Sequence, residues 1–269
     1  MGWNVVLAQQ VWELWEEGAF DGHHSVIEIA PHDLGSSTGR HDVYARFAKA
    51  RFGECDKTRA FEREAYDDDG QIRPMSQKAF YKLFGITDYS CVDYLDERAD
   101  LKLNLNDPIE IDRTYDVVAD FGTSEHLFNI GQSFQNAYNL LRPGGIVLYL
   151  LPVMGQIHHG FYNIHLVLYR SLVAAGLYEA VRMRYFSSLP TDLRKARTER
   201  DLKFPVAHDF SERDPFLTTF KFYLNDIWQV LTGGHRTAAM VFVALRKVDN
   251  KPFQFPQQVN KYWVPPETT

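Results

Sequence analysis

The stretch from residue 140 to residue 152 constrains this chain more than any other. Ile146-Val-Leu-Tyr-Leu-Leu151 is an unbroken apolar run, with the turn Arg142-Pro-Gly-Gly145 before it and Pro152 after it. The run is too short for a buried helix and far below the ~18 apolar residues of a membrane span. A strand that is apolar at every position must be covered on both faces, as in a parallel sheet flanked by helices. Pro152 is expected to stop it.

Shorter strand signals fall at residues 25–30, 90–94, 101–105, 115–120, 178–186 and 238–248. Helical periodicity runs over residues 3–17, 42–66, 76–84, 130–141 and 166–175. Gly18, Gly85 and Gly176 stand where the helices before them should end. Strands alternating with helices predict an α/β fold with a doubly wound, mainly parallel, seven-stranded sheet. The expected organisation is one domain over residues 1–250, opened by an N-terminal helix within residues 1–20. Helical insertions are expected after the first strand and, over residues 187–237, between the sixth and seventh. Residues 251–269, with Pro252, Pro256, Pro265 and Pro266, read as an extended tail. The N-terminal helix carries Trp3, Trp12 and Trp15, which suits packed core, a substrate lid or the contact of a homodimer.

The formal charge of −6 argues against nucleic acid as the partner. Cys55 and Cys91 have neither metal-ligand spacing nor a disulfide framework. They suit a reducing compartment, and with no basic, apolar start the expectation is a cytoplasmic protein with no membrane partner. No metal site is expected, because the histidines at 126, 158 and 159 lack a carboxylate or cysteine at a familiar spacing.

Ligands of open parallel sheets bind beyond the carboxyl ends of the strands. Those ends carry Ala30-Pro-His-Asp33, Asp93-Tyr94, Asn104-Leu-Asn106 and Gly122-Thr-Ser-Glu-His126. The stretch Tyr115-Asp-Val-Val-Ala-Asp-Phe-Gly-Thr-Ser-Glu-His126, followed by Leu141-Arg-Pro-Gly-Gly145, resembles the class I S-adenosylmethionine (SAM) methyltransferase superfamily. With His159-Gly-Phe-Tyr162 it looks like a poorly characterised bacterial branch of that superfamily. The resemblance covers roughly residues 25–186 and implies a Rossmann-like methyltransferase fold. It also implies SAM as cofactor and methyl transfer to an oxygen or nitrogen of a small molecule such as a sugar or natural-product intermediate.

Several site residues follow from that resemblance. Asp93 is assigned to the SAM ribose, with capping of a turn as its other reading. Tyr94 and Ala30 lie beside the cofactor. Asn104 and Leu105 stand where the family reads adenine, although Asn-Asp-Pro is also a turn signal. Glu28 would fix the cofactor loop or else face outward. Gly122, Thr123 and Ser124 would hold the methionyl end of the cofactor. His159 is the expected general base, with Tyr162 orienting the substrate. Glu125 and His126 are acid/base candidates or structural residues. The sequence departs from the family in its first loop, Ile29-Ala-Pro-His-Asp-Leu-Gly35, where Gly35 alone supplies a glycine. The rival functions are a non-methylating member of the fold (a SAM-binding cyclase or isomerase, or a cofactor-free scaffold) and a histidine-based metal enzyme.

Overall fold

The computed structural model describes residues 2–35, 42–154, 159–187, 208–209 and 239–258. Its strands are β1 (Ser25–Ile29), β2 (Asp88–Val92), β3 (Tyr115–Asp120), β4 (Leu141–Met154), β5 (Tyr178–Ser187), β6 (His208–Asp209) and β7 (Ala239–Lys247). Its helices are α1 (Val5–Glu16), α2 (Val43–Phe52), α3 (Asp56–Ala65), α4 (Gln77–Lys82), α5 (Ile130–Leu140) and α6 (Leu166–Ala174). One sheet takes the order β2-β1-β3-β4-β7-β5-β6. Strands β1 to β4 pair in parallel. β7 runs antiparallel between β4 and β5, so β5 points the same way as the first four.

Alternation along the central strands sorts the core into two layers. Val26, Val117, Ala119, Ile146, Leu148 and Phe242 face α1 to α4. Ile27, Val118, Val147, Tyr149, Val241 and Val243 face α5 and α6. Both faces are covered, which is what the all-apolar run 146–151 requires.

Three expectations need correction. The strand expected at 101–105 is reduced to a single parallel bridge, Val92↔Leu101. Asn104 begins a turn there, with its side chain accepting from the Asn106 N–H. Pro152 does not end β4: the strand runs on to Met154, with a register shift between them. The missing N–H is tolerated because the ladder to β7 slips at this point. The helix expected over 42–66 is two helices, since Gly53 adopts a φ of 75° between α2 and α3.

Trp3 is packed core. It is 1% exposed and meets Phe80, Tyr81 and Phe121 edge-on, with ring centroids 5.0–5.3 Å apart. That placement removes it from any lid or dimer contact. Apart from Ser187, His208 and Asp209, the insertion expected at 187–237 lies outside the described residues, as do His158 and the end of the tail. No helix among the described residues is long and apolar enough to cross a membrane.

Asp116 clamps the start of β1 to β3. One of its oxygens accepts from the His24 N–H, the Ser25 N–H and the Ser25 hydroxyl, each at 2.8 Å, and the other pairs with Arg142. Burial works to raise this carboxyl, but the His24 N–H, Arg142 and Ser25 hold it well below the usual carboxylate range. A depressed carboxylate stabilises the fold above its ordinary pKa of 3.8 and loses that contribution as pH falls toward the folded value. Asp116→Asn is therefore expected to lower Tm most at neutral pH, with the gap to wild type closing below about pH 4.

Candidate functional site

The chain leaves β1 on one side to reach β2 and then crosses to β3 on the other side. The switch point of the doubly wound sheet therefore lies between the carboxyl ends of β1 and β3, where such sheets bind ligands.

The loop after β1 turns without glycine. Ala30 itself takes the left-handed conformation, with φ 64°, and its N–H donates to the Val92 carbonyl at 2.8 Å. Such a backbone is uncommon for a residue with a Cβ and carries strain of roughly 1–2 kcal/mol. Gly35 serves a different purpose from the one its position suggested. Its N–H donates to the Trp3 carbonyl, and a Cβ there would stand 2.9 Å from that same oxygen.

Glu28 is fully buried and accepts from four groups. Trp3 Nε1 (3.1 Å) and Tyr81 OH (2.9 Å) reach one oxygen, and Tyr89 OH (2.6 Å) and the His32 N–H (3.1 Å) reach the other. It holds the loop backbone at His32 and is shut away from any ligand. Burial pushes its carboxyl up to about 7, against the pull of the four donors.

His32 was not singled out by sequence, and position just beyond a strand is the only signal that pointed to it. It is 3% exposed, with Nε2 3.2 Å from Thr123 Oγ1. The Thr123 hydroxyl donates its proton to the Ile29 carbonyl at 2.8 Å, so it accepts from His32 Nε2–H. Nδ1 is then a buried lone pair with no partner among the described residues. Burial lowers the ring's pKa to about 3, so it stays neutral.

Thr123 and Ser124 are committed within the chain. Their N–H groups turn onto the buried Asp120 carboxylate, and the Ser124 hydroxyl lies 2.6 Å from that of Ser133. Their donors therefore organise the loop, and the expectation that they hold a methionyl group is not met by those atoms. Gly122, at φ 108°, makes the turn that brings the loop round. Leu105 is 3% exposed and belongs to the core. The Asn104 side chain is spent within its own turn, on Asn106 and Asp107.

At the end of β2, Asp93 caps a turn: Oδ1 accepts from the N–H groups of Leu95 (2.6 Å) and Asp96 (2.7 Å). Its Oδ2 has no hydrogen bond among the described residues. Tyr94 and Leu95 beside it are 63% and 79% exposed. Arg98 pairs with both Asp96 and Asp33, tying this loop to the one after β1.

Beyond β3 and β4, Glu125, His126 and His159 come together. His159 Nε2 is 3.4 Å and His126 Nε2 is 3.8 Å from Glu125 Oε1. The loop carrying His159 is laced to Glu125, whose carbonyl accepts from the Phe161 N–H (2.8 Å) and the Tyr162 N–H (3.2 Å). A Cβ on Gly160 would lie 2.8 Å from that carbonyl, so only glycine allows the approach. Glu125 is fully buried, and burial, with help from Asp120, pushes its carboxyl up to about 8. Burial lowers both imidazoles below 6.5. The Tyr162 hydroxyl donates to the Phe128 carbonyl at 2.8 Å. Its ring borders an open groove of about 530 Å³ between the amino ends of α5 and α6, lined also by Ile130, Ile164, His165, Leu168 and Pro256.

The fold and rim thus define a doubly wound α/β domain with an acidic side chain at the end of β2 and a carboxylate–imidazole cluster beyond β3 and β4. No family model matches the sequence, and no curated protein does. Among solved structures, the chain is similar to an O-methyltransferase from a trans-AT PKS multienzyme of Brevibacillus brevis, in complex with S-adenosyl-L-homocysteine. That match has 14% identity and a TM-score of 0.39, over 90% of this chain and 72% of that one. It is also similar to the 1,6-didemethyltoxoflavin-N1-methyltransferase of Burkholderia thailandensis, with bound 1,6-didemethyltoxoflavin and S-adenosylhomocysteine. There the identity is 10% and the TM-score 0.42, over 91% of this chain and 88% of that one.

Proposed function

We propose that this chain is a SAM-dependent methyltransferase acting on an oxygen or nitrogen of a small molecule, a sugar or natural-product intermediate, in the cytoplasm. The observation that carries the reading is the rim at the switch point. A carboxylate oxygen of Asp93 with no partner among the described residues stands beside exposed Tyr94 and Leu95, on a loop tied to the one after β1. A nucleoside offers what such a rim takes: a diol for the carboxylate and a flat apolar face for the side chains.

The donor set fits the cofactor in part. Asp93 Oδ2 keeps its acceptor sites for ribose hydroxyls, and the tight turn at Ala30 brings backbone close without a glycine. The lone pair of His32 Nδ1 is a further buried acceptor at the rim. Asp93, Tyr94, Ala30 and Gly122 are the residues proposed to hold the cofactor. Glu28, Asp120, Thr123 and Ser124 shape the loops around it.

SAM supplies an already activated methyl group, so the protein's work is chiefly alignment. The groove beside Tyr162 has the size of a small-molecule site, ordinarily about 300–1,000 Å³. It would hold the acceptor, with Tyr162 and His165 among the side chains that line it.

Calorimetry with SAM and with S-adenosylhomocysteine checks the proposal. Saturable binding of both at one site per chain is the expected result. Binding of neither would leave the cofactor-free scaffold as the reading. Binding of both with no methyl transfer to any acceptor tried would favour a cyclase or isomerase.

A further inference from the structure

We propose that Glu125, His126 and His159 form a binding site for a first-row divalent metal ion, with zinc as its representative. Glu125 and His126 are neighbours in the sequence, and only the meeting of two loops brings His159 to them. Three observations point to the ion.

The first is distance. Metal–nitrogen and metal–oxygen bonds to such an ion are about 2.0–2.2 Å. Two ligands on a tetrahedral ion are then roughly 3.3–3.5 Å apart. Glu125 Oε1 is 3.4 Å from His159 Nε2 and 3.8 Å from His126 Nε2, and the three ligand atoms all lie within 4.8 Å of one another. His126 is half-exposed and is the ligand that would move closer when the ion binds.

The second is the state of the donors. Both Glu125 oxygens and His159 Nε2 are buried and make no hydrogen bond with the described residues. His159 Nε2 and Glu125 Oε1 thus stand 3.4 Å apart with no hydrogen bond between them. A buried carboxyl with two orphaned oxygens is unsatisfied, and a bound cation would complete it.

The third is rigidity. Two N–H groups of residues 161 and 162 bind the Glu125 carbonyl, and Gly160 is the one residue type that permits that contact. The Tyr162 hydroxyl fastens the same loop to Phe128, next but one to His126. The ligands are held on two short segments locked together by backbone hydrogen bonds, as a preformed site requires.

Two imidazoles and one carboxylate suit zinc, iron, cobalt or nickel, and not magnesium or calcium, which take sets of oxygen ligands. Three protein ligands leave a position open, and the His126 side chain is 42% exposed, so the ion is reached from solvent. The open position takes water or an oxygen atom of a bound small molecule. With the ion in place the two imidazoles are ligands rather than free bases. The site does not depend on the methyl-transfer reading.

The test uses the untagged full-length chain, stripped with chelator and titrated with zinc by calorimetry. One equivalent is expected to bind, and magnesium is expected not to. His126→Ala removes the most exposed of the three ligands and should weaken zinc more than the ~10–100-fold typical of losing an outer-shell partner. Cobalt should give ligand-field bands in wild type that His126→Ala alters and the His126→Ala/His159→Ala pair abolishes. No saturable zinc uptake by wild type would overturn the proposal. So would uptake unchanged in the double variant with an unaltered circular dichroism spectrum. S-adenosylhomocysteine binding, measured in the metal-free chain, reports separately on the methyltransferase reading.

Discussion

Glu28→Ala is expected to lower the unfolding free energy by about 4 kcal/mol, a change of roughly a thousandfold in the folding equilibrium. The residue joins four parts of the chain. Its oxygens accept from Trp3 ahead of α1, Tyr81 in α4, Tyr89 in β2 and His32 in the loop after β1. Alanine leaves four donors without this acceptor, three of them buried and Tyr89 half-buried, and a buried group left so costs about 1–3 kcal/mol. The tyrosine hydroxyls can turn away and recover part of this, which keeps the total near the lower end of the sum. Urea unfolding followed by circular dichroism measures it; a loss under about 1 kcal/mol would show that the hub contributes little. Glu28 also leaves a signature in pH. Its folded value, near 7, lies above the ordinary 4.5, so the folded state binds the extra proton between them. The contribution is complete below pH 4.5 and is lost as pH rises through 7. Glu28→Gln should flatten that limb of the stability curve.

Asp93→Ala is expected to weaken S-adenosylhomocysteine about a hundredfold, while stability falls by only about 1 kcal/mol. A hydrogen bond to a charged group contributes about 1.5–3 kcal/mol, so one or two ribose contacts account for the loss. The small change in stability comes from the turn, where the Leu95 and Asp96 N–H groups lose their acceptor. Asp93→Asn separates the two roles. Asparagine keeps a side-chain oxygen for the turn and gives up the second carboxylate oxygen and the charge. If Asp93 does no more than cap the turn, Asn binds the cofactor product as wild type does. A tenfold or greater loss in Asn, with Tm unchanged, is the result expected for ribose binding. Both measurements use calorimetry and thermal melting on the same preparations.

Much of the fold was legible because burial writes itself into local pattern. The apolar run 146–151 demanded cover on both faces, and the two core layers supply it. Gly18, Gly85 and Gly176 each follow a helix at φ 70–84°, where a side chain would be strained. The failures have equally local causes. At 101–105 a strand signal met turn-forming asparagines, and one bridge survived. At 152 a proline that should have ended a strand was absorbed by a register slip. The site was legible in part. The place of Asp93 at the end of a strand was readable, and the structure shows it capping a turn there, but Thr123 and Ser124 gave no sign that Asp120 would take up their N–H groups.

By itself the sequence determined the layers of this protein: which residues lie in strands and helices, which faces are apolar, and which side chains end up along the sheet's rim. Those properties depend on spacings of two to four residues, which the chain carries wherever it is placed. Only the tertiary structure decided the chemistry of the rim. Trp3 closes over Glu28 from 25 residues away, and Gly160 lets one loop settle onto the carbonyl of Glu125. A buried carboxylate takes its character from whichever donors, lone pairs or charges the fold brings within about 4 Å. Contacts of that kind have no period in the sequence.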